Sequence, residues 1–206
     1  MAEASSIAMI GTLAVAGAIS GLCHVGIYEV TKPRIERNRA EALDAAIYRV
    51  LPAAKTRKAF VVREGKLTGV EGVPKDEATV FAGYDAEGKQ VGFAIPSEGA
   101  GFADTIRLLF GFDPAKQRIV GMEVLESKET PGLGDKIFKD AAWVGQFKDL
   151  GVDPEVVPTK PGTKSKPNDV DTISGATIST KAVVKIVNAG NAKWLSAVRA
   201  ARGVEP

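Results

Sequence analysis

The chain has 206 residues, 45% of them hydrophobic, and its Lys+Arg count of 27 nearly balances Asp+Glu at 25, for a formal charge of +2. That is enough apolar sequence for one domain with a sizeable core, and too little basic excess for a nucleic-acid partner, which shows clustered basic residues beside exposed aromatics. A single cysteine, Cys23, and a single histidine, His24, exclude an internal disulfide framework, an iron–sulfur cluster held by this chain's cysteines alone and a metal site of several histidines, so redox chemistry here would fall to an organic cofactor.

From Ala4 to about Tyr28 the sequence has no Asp, Glu, Lys or Arg and carries Ile7, Ile10, Leu13, Val15, Ile19, Leu22, Val25 and Ile27. At a 1.5 Å rise, about 20 such residues cross a bilayer core once. Gly11, Ala14, Gly17, Ala18 and Gly21 suit close packing on neighbouring membrane helices. A cleaved signal would open with basic residues, and a lipoprotein signal would place a small residue before Cys23; Glu3 and Leu22 stand there instead, so an uncleaved anchor is expected. The expected organisation is a short tail over 1–6, a transmembrane helix over 7–30, a connecting helix over 31–58 and one domain over 59–206. Pro33 is read as a boundary, Ile35 to Val50 as an amphipathic helix, and Pro52 as its end. Cys23 and His24 read as packing residues of the apolar helix.

Beyond Ala59 the pattern turns to strands: Phe60 to Arg63, Thr79 to Tyr84, Gln90 to Ile95, Thr105 to Phe112 and Arg118 to Leu125. Turn signals at Glu64-Gly65, Ala86-Glu87-Gly88, the glycines near 100 and Asp113-Pro114 predict hairpins of an antiparallel sheet. Gly99 to Asp104 reads as a loop of little bulk containing Gly101 and Phe102. In Glu129-Thr130-Pro131-Gly132-Leu133-Gly134, Pro131 fixes one φ while Gly132 and Gly134 permit positive φ, which allows a tight turn. Asp135 to about Leu150 reads as one helix and Gly151 to Pro167 as a loop.

Asp171-Thr172-Ile173-Ser174-Gly175-Ala176-Thr177 then leads into an apolar-periodic run from Ala182 to about Val198, so Thr177 sits at a helix start. The first N–H groups of a helix lack internal partners and its dipole end is positive, which makes such a start a seat for phosphate. Gly175 and Ala176 leave the main chain bare, and Ser174, Thr177, Ser179, Thr180 and Lys181 offer donors. The plain alternative is that Ser174 or Thr177 is an N-cap and Gly175 a turn residue. Asp171 reads as a determinant of modification or as a local Asx-type bond to Ile173 or Ser174 N–H.

The D-x-x-S-G-A-T stretch from Asp171 to Thr177 and the E-T-P-G-L-G stretch from Glu129 to Gly134 resemble, in this order, the two signatures of the FMN-binding domains of the Rnf G subunit and of its relative, the C subunit of the sodium-pumping NADH:quinone reductase. The resemblance covers nearly the whole chain and lies closer to the first. It implies an α+β fold: one transmembrane helix, then an FMN-binding domain whose mainly antiparallel sheet is flanked by helices. It implies FMN esterified through its phosphate to Thr177 by a separate flavin transferase. Ser174, Gly175, Ala176, Glu129, Thr130, Gly132, Leu133, Gly134, Gly101 and Phe102 would line the flavin site. Lys181, by its own place in the first turn of the helix, either balances phosphate charge or faces solvent.

The function so implied is electron relay in a membrane-bound, ion-translocating ferredoxin:NAD oxidoreductase, with iron–sulfur and flavin subunits as partners and no turnover of its own. The C subunit of a sodium-translocating NADH:quinone reductase is one alternative, and a structural, membrane-anchored accessory domain without flavin is the alternative of another class. The resembled family sits in the inner membrane with its flavin domain on the periplasmic face. Lys32, Arg34, Arg37 and Arg39, just after the span, argue by the positive-inside rule for the cytoplasmic side.

Overall fold

The computed structural model describes residues 6–63, 66–74 and 77–200, so the Glu64-Gly65 turn and most of the 1–6 tail lie outside the described residues. The chain divides into two units between Leu43 and Asp44.

The first unit consists of the greater part of one helix, α1 (Ser6–Val50). Its segment before Tyr28 is long and apolar enough to cross a membrane, and its large side chains are bare: Ile7 is 81% exposed and Leu22 74%. His24 does not reach out of the helix, because its Nδ1 lies 2.8 Å from Ser20 O one turn back. Pro33 is not the boundary expected from sequence; it stands inside α1. Proline deprives the helix of one N–H and crowds the preceding turn. Here the Thr31 hydroxyl donates to Ile27 O and Tyr28 O just ahead of it.

In the second unit, the last turn of α1 buries Ala46, Ile47 and Val50. Strands β1 (Thr56–Arg63), β2 (Lys66–Val70), β3 (Thr79–Tyr84), β4 (Gln90–Ala100), β5 (Thr105–Asp113) and β6 (Arg118–Glu126) follow. After them come two short helices, α2 (Lys136–Lys139) and α3 (Ala141–Val144), a 3-10 turn at Gly145–Phe147, the strands β7 (Leu150–Gly151), β8 (Val157–Thr159) and β9 (Asp169–Asp171), and the long helix α4 (Thr177–Ala200). The main sheet runs β2-β1-β3-β4-β5-β6-β7 with every pair antiparallel. Such a sheet is what successive hairpins produce.

Both faces of the sheet are covered, which explains why β3 is buried along its whole length. On one face α4 lies across β4 and β5; a Cβ on Gly190 would stand 2.9 Å from the Phe110 ring. Phe93, Ile95, Leu108, Phe110 and Phe112 form the core there with Val183, Ile186, Val187 and Trp194 of α4. On the other face the end of α1 sits on Gly83, Gly111 and Gly121, where a side chain would meet Leu51 or the backbone of Val50.

The single helix expected from Asp135 to Leu150 is broken. Asp140 adopts an extended backbone (φ −83°, ψ 95°), and its carboxylate accepts from Ala142 N and Trp143 N. An aspartate that caps a new helix terminates the one before it. The loop expected over Gly151 to Pro167 contains β8, which pairs in parallel with β9.

Candidate functional site

The second unit carries a cleft of about 340 Å3 lined by Phe102, Glu129, Thr130, Leu133, Gly134, Gly175, Ala176, Thr177, Ile178 and Ser179. Three distant segments build it: the β4–β5 turn, the turn after β6 and the start of α4. Its size falls within the roughly 300–1,000 Å3 of small-molecule sites, which combine apolar walls with a few placed polar groups. Phe102, Leu133 and Ile178, at 65, 50 and 60% exposure, give it an apolar rim.

Glu129 joins the three segments. It is only 5% exposed. Its Oε1 accepts from Phe102 N at 2.7 Å and Ala103 N at 3.0 Å, and its Oε2 accepts from Ser179 Oγ at 2.5 Å. No basic side chain among the described residues pairs with it: Lys128 reaches Asp104 and Lys139 reaches Asp135. The surroundings fit the carboxylate so closely that a Cβ on Gly134 would stand 2.6 Å from Glu129 Oε2 and 2.8 Å from Ser179 Oγ. Gly101 packs against Glu129 in the same way, under the cleft and off its wall.

Asp135 closes the turn after β6. Its Oδ1 accepts from Gly132 N and its Oδ2 from Lys139 Nζ, and Leu133 N donates to Thr130 O. The Lys139 ammonium holds the Asp135 carboxyl below the usual carboxylate range. Gly132 takes φ +80°, a conformation a side chain would strain. It shapes the turn and leaves the cleft wall to Leu133 and Gly134.

Helix α4 begins at Thr177. The residue before it is Ala176, not a polar cap: neither Ser174 nor Thr177 takes the N-cap role. The N–H groups of Thr177, Ile178 and Ser179 have no acceptor among the described residues. Alanine is a poor N-cap, costing about 1 kcal/mol against Ser or Asp, so this start keeps its donors open at the expense of stability. The Thr177 hydroxyl is exposed and makes only a long contact, 3.4 Å, to Ile173 O. By contrast Thr180 Oγ1 is spent inside the helix on Ala176 O and Thr177 O. Gly175, at φ +81°, leaves room for Leu133, whose Cδ2 would lie 3.7 Å from a Cβ there.

The backbone before this start is fixed by β9. Trp143 Nε1 donates to Asp171 O at 2.7 Å, and Asp171 N donates to Gln146 Oε1 at 2.8 Å. The Asp171 side chain makes no Asx-type bond to Ile173 or Ser174. It accepts from Thr159 Oγ1, Gly162 N and Lys164 N. Burial opposes its charge, but these donors hold its carboxyl below the ordinary value. A hydroxyl and a string of backbone N–H groups in reach of the far side outcompete one local N–H, and they turn the charge away from the start of α4.

Of the residues expected at the site, Gly101, Gly132, Ser174 and Lys181 do not line the cleft, and Ser174 and Lys181 face solvent. Ile178 lines it without having been expected there, and Ser179, expected only as a donor at the helix start, lines it too. Thr177 at a helix start places Ile178 and Ser179 in the same first turn, and that adjacency was the available signal.

Comparison with known proteins supplies the context. Residues 101–191 match the model of the FMN-binding domain family. The chain is 32% identical over 176 residues to the G subunit of an ion-translocating oxidoreductase complex of Methanosarcina acetivorans, covering 85% of this chain and 87% of that one. It is 32% identical over 163 residues to the G subunit of the Na(+)-translocating ferredoxin:NAD(+) oxidoreductase complex of Acetobacterium woodii, 77% of each. In its crystal structure, the C subunit of the Na(+)-translocating NADH-quinone reductase of Parabacteroides distasonis has the same fold, with a TM-score of 0.62 over 80% of this chain and 96% of that one at 24% identity.

Proposed function

Since the chain belongs to the family of G subunits of Rnf-type ion-translocating oxidoreductase complexes, electron-carrying subunits with an FMN-binding domain, we propose that it carries FMN as a phosphoester on Thr177, with the ring in the cleft beside the 129–134 turn. The observation that carries this reading is an exposed threonine hydroxyl at an uncapped helix start, opening onto a cleft with an apolar rim. Open N–H groups and the positive end of α4 suit a phosphate dianion. Bound FMN would supply two-electron redox capacity that can be released one electron at a time.

The chain's own residues have separate tasks in this reading. Gly175 and Ala176 let a bulky phosphate ester approach the main chain. Leu133 and Phe102 cover apolar ring surface, and the Thr130 hydroxyl and backbone N–H groups meet its polar edge. Lys181, exposed and off the cleft wall, balances phosphate charge from outside. The ester is made by a separate flavin transferase, for which Asp171 serves by fixing the loop ahead of Thr177.

The chain is membrane-associated through α1, and its partners are the other subunits of the complex. We place it as a single-pass protein of the inner membrane, with the domain from residue 59 on the periplasmic side. Its small-residue helix packs on partner membrane subunits, and these fix an orientation that its own basic residues oppose.

The test is a denaturing gel under ultraviolet light, run on the chain coexpressed with a flavin transferase. A fluorescent band is expected for the wild type and none for Thr177→Ala, with an FMN mass increment located on Thr177. A dark wild-type band, or an adduct on another residue, would overturn the assignment.

A further inference from the structure

Glu129 is a buried carboxylate on the wall of the cleft whose three partners, Phe102 N, Ala103 N and Ser179 Oγ, are all neutral donors. Hydrogen bonds from neutral dipoles stabilise such a charge without cancelling it. The neighbouring carboxylates differ, since Asp104 is paired with Lys128 and Asp135 with Lys139. Glu129 is thus the acidic group at the cleft that keeps an unpaired charge among the described residues, in surroundings where water screens it poorly.

We propose that the Glu129 carboxylate is a positioning and potential-setting residue: it holds the three site loops together and keeps the reduction potential of a flavin in this cleft lower than a neutral side chain would. This rests on the flavin reading above. Two electrons and one proton entering the oxidised ring leave it with one added negative charge, and that charge arrives beside a fixed one. In the cell the electrons come from reduced carriers of the partner subunits; in the test they come from dithionite.

Glutamine separates the two roles of the residue. In Glu129→Gln the amide oxygen accepts from Phe102 N and Ala103 N, and the amide nitrogen donates to Ser179 Oγ, so the loops stay tied while the charge is gone. Ser179→Ala acts in the opposite direction by removing one donor from the carboxylate and leaving its charge less compensated. Glu87→Gln, on the exposed β3–β4 turn, removes a charge away from these contacts.

The experiment is a dithionite redox titration of the full-length, flavin-loaded proteins in detergent, with the flavin-to-protein ratio measured alongside. The midpoint is expected to shift positive in Glu129→Gln, negative in Ser179→Ala and not at all in Glu87→Gln, at equal loading. A loaded Glu129→Gln protein with the wild-type midpoint would overturn the proposal. Should Glu129→Gln fail to fold or load, a Ser179→Ala midpoint that is unchanged or positive overturns it instead. A wild-type chain without flavin sinks the flavin reading itself, which the loading ratio reveals before any potential is read.

Discussion

Ser179 Oγ donates to Glu129 Oε2 across 2.5 Å, joining two residues fifty positions apart in the sequence. The other oxygen of the same carboxylate holds the β4–β5 turn through Phe102 N and Ala103 N. One side chain therefore fixes the relative placement of the cleft's three walls. This arrangement ties the three segments together, because none of them can move away without breaking a hydrogen bond to the buried carboxylate.

Truncating that hub should show in stability. In Glu129→Ala the Phe102 and Ala103 N–H groups lose their acceptor, and so does the buried Ser179 hydroxyl, whose loss alone costs roughly 1–3 kcal/mol if it is left unpaired. A clear drop in the melting temperature of the full chain in detergent is expected, and Glu129→Gln should stay near wild type. Equal melting temperatures for wild type and Glu129→Ala would mean that water replaces the carboxylate at no cost, and the hub reading would fail.

Two glycine substitutions of identical chemistry should part company. Gly134→Ala puts a methyl 2.6 Å from Glu129 Oε2 and 2.8 Å from Glu129 Cβ, and overpacking of this kind costs about 1–3 kcal/mol. At Gly145 a Cβ meets nothing within 4 Å, and the backbone is already helical at φ −60°. There alanine should be neutral or stabilise by about 0.4–1 kcal/mol through the unfolded chain. Paired thermal melts decide it; the same loss at both positions would refute the packing argument at Gly134.

Acid should loosen the site from its supporting loops. Asp104 beside the Lys128 ammonium, Asp135 beside the Lys139 ammonium, Asp169 under the N–H groups of Ser165 and Lys166, and Asp171 with its three loop donors all lie below the ordinary Asp value of 3.8. A depressed folded-state value means that the unfolded chain takes up protons first, so the contribution is complete above about 3.8 and is lost as pH falls through the folded values. Stability should be flat with respect to these groups from neutrality to about pH 5 and fall below about pH 4. Replacing Asp171 by Asn should flatten part of that fall, and an unchanged acid limb would remove Asp171 from the account.

The legible parts of the fold were those set by local chemistry. Thr79–Tyr84 announces itself by β-branched and aromatic residues between turn signals, and the start of α4 by small residues running into a helical period. What escaped depended on partners remote in sequence. Pro33 reads as a stop from its own chemistry, yet α1 continues through it. The 136–147 helix breaks at an aspartate whose capping choice is invisible in a periodic pattern. Asp171 satisfies its side chain from a loop seven to twelve residues upstream, and Ser179 matters through a glutamate that only folding brings near. The motif residues could thus be named from sequence, whereas the carboxylate that ties them together had to be seen in space.

The sidedness of the domain is the prediction on which the sequence pulls in two directions. Lys32, Arg34, Arg37 and Arg39 follow the span, and counted alone they would retain everything after them in the cytoplasm. The proposed periplasmic placement requires partner helices, packed on the glycine and alanine positions of α1, to override that bias. Cys23 is the sole cysteine, so a Cys23→Ser background accepts a single probe at Glu87→Cys, on a turn that is exposed and whose Glu87 N–H is held by Asp85 rather than by its own side chain. With the partner subunits coexpressed, a membrane-impermeant maleimide added to intact cells with a permeable outer membrane should label position 87 without lysis. Labelling only after lysis would place the domain in the cytoplasm and return the decision to the basic residues. Expression without the partners then gives the second half of the test: if partner packing is what overrides the charges, the label should fall toward the level of unlysed cytoplasmic controls when those subunits are absent.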